Sequence, residues 1–131
     1  MTTPLPCPCG ASPALPCADC CARYHAGPLH LLAPTAEALM RSRYSAYVLG
    51  HGDYLLATWH ASTRPPTIEP DSPGLKWLGL EVRQHTVQGA DHASVEFVAR
   101  SKLGGRAQRL HEIGRFVRED GRWYYVDGDL R

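Results

Sequence analysis

Beyond Cys21 the chain has no cysteine: all five, Cys7, Cys9, Cys17, Cys20 and Cys21, fall within fifteen of its 131 residues. That distribution excludes a disulfide framework spanning the fold, and in a reducing compartment such clustering argues for metal. Long apolar runs are lacking too. Nowhere do eighteen apolar residues follow one another, which excludes a membrane-spanning helix, and Met1 to Pro6 carries neither the basic start nor the apolar stretch of a secretory leader. A cytoplasmic chain is expected. Charge of one sign is missing as well: Lys plus Arg is 14 against 13 for Asp plus Glu, a net +1, so no broad field attracts nucleic acid or an anionic membrane, and such a partner would need a local patch. There is no glycine-rich phosphate loop, no Ser-His-Asp order and no HExxH helix, and Gly104-Gly105 reads as a turn.

With 131 residues, 44% of them hydrophobic, the chain has room for one domain and a short appendage. The appendage is the N-terminal stretch. Residues 4–34 contain Pro4, Pro6, Pro8, Pro13, Pro16, Pro28 and Pro34 and show no sustained period, so they cannot build a core alone. A metal would supply the missing free energy. Cys7-Pro8-Cys9-Gly10 and Cys20-Cys21 offer four thiolates in two tight pairs, with Gly10 letting the backbone turn back, and four sulfurs suit tetrahedral zinc in a closed, structural site. Cys17 is a fifth thiol able to replace Cys20 or Cys21, and His25 or His30 could also reach in. Here Cys17 is read as a spare thiol and the two histidines as solvent-facing.

From Thr35 the pattern becomes periodic. Thr35 is a helix cap, Glu37 suits the positive end, and Gly50 and Gly52 are stops, which predicts a helix over Ala36 to Leu49. Leu39, Met40, Arg43, Tyr44, Tyr47 and Val48 share its inner stripe. A second helix is expected over Asp53 to His60, followed by an irregular loop, 61–74, that either covers a pocket or spans an edge. The period then becomes two, with Leu78, Leu80 and Val82, and later Val95, Phe97 and Ala99, on inner faces. Reversals at Gly89 with Asp91, Gly104-Gly105 and Asp120-Gly121 separate strands at about 77–87, 93–102, 108–119 and 122–127. Helices followed by a meander give an α+β layer with the sheet curled around the helices.

These residues carry a family resemblance. Cys-Pro-Cys-Gly ahead of Cys-Cys resembles the SEC-C zinc motif. Leu39-Met40-Arg41-Ser42-Arg43-Tyr44, Asp53-Tyr54-Leu55 with Thr58-Trp59-His60, Trp77-Leu78-Gly79-Leu80, Val95-Glu96-Phe97-Val98-Ala99-Arg100, and Arg115-Phe116 through Gly121 to Gly128 resemble the YchJ family of bacterial proteins. The resemblance implies an N-terminal knuckle and connector, residues 1–30, with Cys7, Cys9, Cys20 and Cys21 on structural zinc. Residues 31–131 would form a nuclear-transport-factor-2-like domain, a cone of helices packed in a curved antiparallel sheet. It implies no particular reaction. Two features depart from the family's pattern: the spacing from Cys9 to Cys20 is two residues longer, and Ala11-Ser12 replaces Ser-Gly. Longer members also carry a second SEC-C motif at the C-terminus, where this chain ends at Arg131.

Two functional classes follow. One is a non-enzymatic adaptor whose knuckle docks on a protein or ribosomal partner, as SEC-C elements do at the tail of SecA, with a homodimer through the open sheet face as a further expectation. The other is a small-molecule-binding or enzymatic protein whose pocket draws on Arg43, Tyr44, Tyr47, Tyr54, Trp59, His60, Glu112, Trp123 and Tyr125, with Asp53, His60 or Glu112 as acid or base. Aromatics at such spacing also serve as plain core, and Arg43 with Glu112 would equally make a structural buried pair. A redox-sensing role for the cysteines is a third class. Arg100, Lys102, Arg106, Arg109, Arg115, Arg118 and Arg122 read as a solvated basic strand face rather than a nucleic-acid surface.

Overall fold

Thr35 starts the central helix as its chemistry demands: its Oγ1 accepts the Ala38 N–H at 3.0 Å. In the computed structural model, which describes residues 7–10, 15–68 and 71–131, this helix runs over Ala36–Leu49, the range expected from its caps. Glu37 sits in the first turn and pairs with Arg41 at 3.0 Å. Gly50 ends the helix in the left-handed region at φ 77°, its N–H donating to the Ala46 carbonyl, a conformation glycine adopts without steric cost. With the one-turn helix Ala22–His25 as α1, Ala36–Leu49 is α2 and Gly52–Ala57 is α3.

Helix α3 begins one residue before Asp53 and ends three short of His60. The reason is strand pairing. Past Ala57 the chain extends and couples to the last strand: Tyr125 N–H donates to the Thr58 carbonyl at 2.9 Å, His60 N–H donates to the Tyr125 carbonyl at 2.8 Å, and Trp59 bridges Tyr125 in parallel.

Four strands, β1 (Lys76–Val87), β2 (His92–Leu103), β3 (Arg106–Glu119) and β4 (Arg122–Leu130), pair antiparallel in sequence order. Two of the three reversals are two-residue loops. Gly104 and Gly105 (φ 57° and 77°) and Asp120 and Gly121 (φ 52° and 75°) all take positive φ, as the tightest hairpin turns require.

Helix α2 packs on β1, β2 and β4. Val95, Phe97 and Ala99 face it by alternation and are buried with Leu39, Met40, Tyr44, Leu55 and Phe116; each large side chain so buried contributes about 1.5–3 kcal/mol. The first strand departs from simple alternation. Its register skips Leu78, since Trp77 pairs with Ser101 and Gly79 with Arg100. This bulge shifts the phase, so Leu78 is exposed while Trp77 packs against the core. The loop before β1 adds Ile68 to that core, and its Asp71 accepts the Trp77 Nε1–H at 2.9 Å. Among the described residues no helix is long and apolar enough to cross a membrane.

Candidate metal centre and cavity

The cysteine segment folds over the middle of α2. Cys7 N–H donates to the Leu15 carbonyl at 2.7 Å, and a turn then closes on Gly10. Gly10 holds φ 71°, and a Cβ there would lie 3.1 Å from the Leu80 carbonyl oxygen. A 3-10 turn over Cys17–Asp19 and the start of α1 bring Cys20 and Cys21 back toward Cys9. Two side chains fasten the segment to α2. Arg41 Nη1 donates to the Cys9 carbonyl at 2.8 Å, and His25 Nε2 lies 2.8 Å from the Ser42 carbonyl oxygen.

The thiol sulfurs of Cys7, Cys9, Cys20 and Cys21 all lie within 4.8 Å of one another, and all four residues are buried. The sulfurs of Cys9 and Cys20 are 3.6 Å apart. A tetrahedral ion with metal–sulfur bonds of about 2.3 Å would space its sulfurs by about 3.8 Å, so the cluster fits a metal with little rearrangement. No disulfide joins any of the five cysteines. Cys17 is half-buried and stands outside the group of four, although its Sγ is 3.4 Å from that of Cys7.

The acidities fit the same reading. Burial pushes the Cys7 thiol up, but the Ser45 hydroxyl and backbone groups of Cys9 and Cys21 outweigh it and hold Cys7 below the ordinary thiol value. Burial, reinforced by the neighbouring Cys9 and Cys7, pushes Cys20 up to about 12. Cys21 is raised further, first by its hydrogen bond with Cys9 and then by burial. Burial and Cys7 take Cys17 to about 11. Without a cation the cluster thus resists carrying more than a limited negative charge, and a divalent ion would supply the missing positive charge.

The histidines do not join this group. His30 is exposed. His25, expected to face solvent, is half-buried instead, its ring 5.0 Å from that of His51 and 4.7 Å from that of Tyr54; burial lowers its pKa. Ala11 and Ser12, where the sequence departs from the family pattern, lie outside the described residues.

A second feature lies between α2 and the sheet. A cavity of about 540 Å³ is lined by Arg43, Tyr44, Tyr47, Trp59, Glu112 and Tyr125 and, beyond the sequence-derived set, by Met40, Trp77, Phe97 and Ser101; the loop before β1 contributes Asp71 and Leu75. Arg43 does not pair with Glu112 as expected. Its Nη1 donates to the Leu55 carbonyl at 2.8 Å and to Thr58 Oγ1 at 2.7 Å, and its Cζ lies 5.0 Å and 4.8 Å from the ring centres of Trp59 and Tyr125. The α3 carboxyl end reaches the guanidinium first, and the rings pack around it. Glu112 accepts from the Tyr125 hydroxyl at 3.2 Å, and burial raises its pKa.

Three sequence candidates sit elsewhere. His60 is turned outward by the strand pairing of Trp59 and meets Glu119 at 2.9 Å. Trp123 is buried in the core two residues before Tyr125, with the Arg118 Cζ 5.6 Å from its ring centre. Tyr54 bonds Ser42 Oγ at 2.8 Å, and burial takes its hydroxyl to about 12. None of the three lines the cavity. On the basic strands, Arg100 pairs with Glu81, Arg115 with Asp127 and Asp129, and Arg118 with Asp91.

The family profile described as the YchJ middle NTF2-like domain matches residues 35–128. The chain belongs to the YchJ family. It is 65% identical over 127 residues to a UPF0225 protein of Methylibium petroleiphilum, covering 97% of this chain and 90% of that one. A UPF0225 protein of Bordetella pertussis is 58% identical over 130 residues, covering 99% and 96%. Among solved structures, a SEC-C motif containing protein from Rhodopseudomonas palustris superposes with a TM-score of 0.83 at 33% identity, covering 97% of this chain and 99% of that one. A SEC-C motif containing protein from Psychrobacter arcticus superposes at 0.77 and 33%, covering 96% and 82%.

In this YchJ-family chain the residues that sequence reasoning passed over are those joining knuckle to helix: Arg41, Ser42 and Ser45. Ser42 and Ser45 are fully buried. A signal was present, since two serines three residues apart beside the inner stripe of α2 must find partners if buried.

Proposed function

We propose that this chain is a non-enzymatic binding module in which a structural zinc ion, held by Cys7, Cys9, Cys20 and Cys21, fixes the knuckle of residues 1–30 against a cone-shaped body, residues 31–131. The observation that carries the reading is the approach of four buried thiols within 4.8 Å. Four thiolates fill a tetrahedron and leave no position for water or substrate, so the metal serves folding, not catalysis. Zinc suits an all-thiolate tetrahedral set. Likeness to SEC-C motif proteins supports the same ion. Leu15 and Leu29 on the knuckle segment and Leu32 just beyond it, each more than 40% exposed, support its docking on a protein or ribosomal partner.

Metal analysis of protein purified under reducing conditions tests this directly. One zinc per chain is expected, with a fall in melting temperature on chelation. A chain that purifies without metal, and whose melting is unmoved by added zinc, overturns the reading.

The cavity favours a second reading. Its volume of about 540 Å³ lies within the range of about 300–1,000 Å³ typical of small-molecule sites, and it joins apolar walls to a few polar groups, as such sites do.

A further inference from the structure

Arg43 is 3% exposed, and a guanidinium keeps its charge inside a protein. Its bonds are to neutral acceptors, the Leu55 carbonyl and the Thr58 hydroxyl, both through Nη1. Among the described residues its Nε and Nη2 donate to nothing, and no carboxylate forms an ion pair with it. Glu112 attracts it across the cavity without touching it, and a buried cation with no anion in contact is electrostatically incomplete. The packing beside it is close: the guanidinium lies against the rings of Trp59 and Tyr125, which pack on each other with centres 5.2 Å apart, and Nη1 is doubly anchored. What is left without a protein partner is a planar, two-donor edge, the shape that recognises a carboxylate.

We propose that the cavity binds a small monocarboxylic acid with a planar apolar body, its carboxylate held by Arg43 and its body lying among Tyr44, Tyr47, Trp77 and Phe97. This rests on the small-molecule reading given above. The walls select the body, because aromatic side chains stack on flat apolar groups. They also select a single charge, since a largely apolar enclosure cannot solvate a phosphate dianion. Of the other charged lining groups, Arg109 adds positive charge, Asp71 is already bonded by the Trp77 Nε1–H, and Glu112 does not reverse the choice. It has a partner in the Tyr125 hydroxyl and can shed its charge by taking a proton, whereas Arg43 cannot lose its own. With the acid bound, a protonated Glu112 adds a donor to the site. An ammonium ligand would instead meet Arg43 with like charge.

The test uses the full zinc-loaded chain and three probes of nearly equal shape: naphthalene-2-carboxylate, naphthalene-2-carboxamide and 2-naphthylmethylammonium. Binding is followed by tryptophan fluorescence, as Trp59 and Trp77 both line the cavity. The carboxylate should bind about tenfold or more tighter than the amide, and the ammonium should bind most weakly. Arg43→Gln should erase the preference for the carboxylate. Because that variant removes a buried anchor, Glu112→Gln provides the second arm: it should hold or strengthen carboxylate binding. Amide or ammonium binding that equals the carboxylate, or loss of carboxylate binding in Glu112→Gln, overturns the anion assignment while keeping a small-molecule cavity. No binding of any of the three at millimolar concentration overturns the small-molecule reading as well.

Discussion

The thiol of Cys7 lies 3.4 Å from the hydroxyl of Ser45, thirty-eight positions later and on the buried face of α2. This contact ties the cysteine cluster to the body of the domain. It also explains why Cys7, alone of the cysteines with a resolved shift, is held below the ordinary thiol value. A hydroxyl that donates to a metal-bound thiolate orients the ligand and spreads its charge.

Ser45→Ala should therefore weaken zinc affinity by about tenfold, as loss of an outer partner commonly does, with α2 still helical. Competition with a chromophoric chelator reads the affinity and circular dichroism the helix. Unchanged affinity would remove Ser45 from the metal site.

Cys20→Ser should lose the metal and lower the melting temperature, while Cys17→Ser should keep one zinc per chain. Cys17 stands beside Cys7 but outside the four that converge. The midpoint of a chain this size moves by roughly 3–6 °C per kcal/mol, so removal of a structural ion is readily seen. Zinc lost in Cys17→Ser and retained in Cys20→Ser would exchange their roles.

Gly10→Ala should destabilise the knuckle by about 1–2 kcal/mol, the usual cost of a left-handed backbone for a residue with a side chain. The added Cβ would also press on the Leu80 carbonyl, a backbone atom 3.1 Å away that cannot swing aside. Thermal melting with zinc present measures the loss; an equal or higher midpoint would show that the turn relaxes freely.

Glu112→Gln should raise the melting temperature at pH 7 by a few degrees. Burial raises the Glu112 pKa in the folded chain, so the folded state holds the proton more tightly than the unfolded state does. Its stabilising contribution is complete below the unfolded pKa and is lost as pH rises through the folded value. Above the folded value a buried charge is present, which glutamine removes. The gain over the parent should shrink as pH falls toward the ordinary glutamate range. A gain constant across that range would place the effect in packing instead.

Much of this architecture is local in origin. Helix α2 could be read to the residue because Thr35 and Gly50 satisfy its ends through groups only three to five positions away. The hairpins at Gly104-Gly105 and Asp120-Gly121 could be read because the positive φ they need is a property of those residues. The bulge at Leu78 could not. Alternation predicts an inward Leu78, but the register is set by pairing with β2, which skips it.

The sites divide in the same way. The convergence of Cys7, Cys9, Cys20 and Cys21 was legible as a candidate metal set because thiols crowded into so short a segment have few other uses. Arg43 and Glu112 were legible as inward-facing, from helical and strand periodicity, but their partners were not. Periodicity states which face a side chain takes and nothing about what stands opposite it. The end of α3 and the pairing of Trp59 with Tyr125 decided that Arg43 meets a carbonyl, a hydroxyl and two rings, and turned His60 out to Glu119. The sequence by itself determined the caps, the strand order and the cysteine cluster, since these depend on neighbours along the chain. Only the tertiary structure decided that Ser45 meets Cys7 and that Arg43 pairs with no carboxylate in the cavity it shares with Glu112, because those relations involve segments the chain keeps far apart.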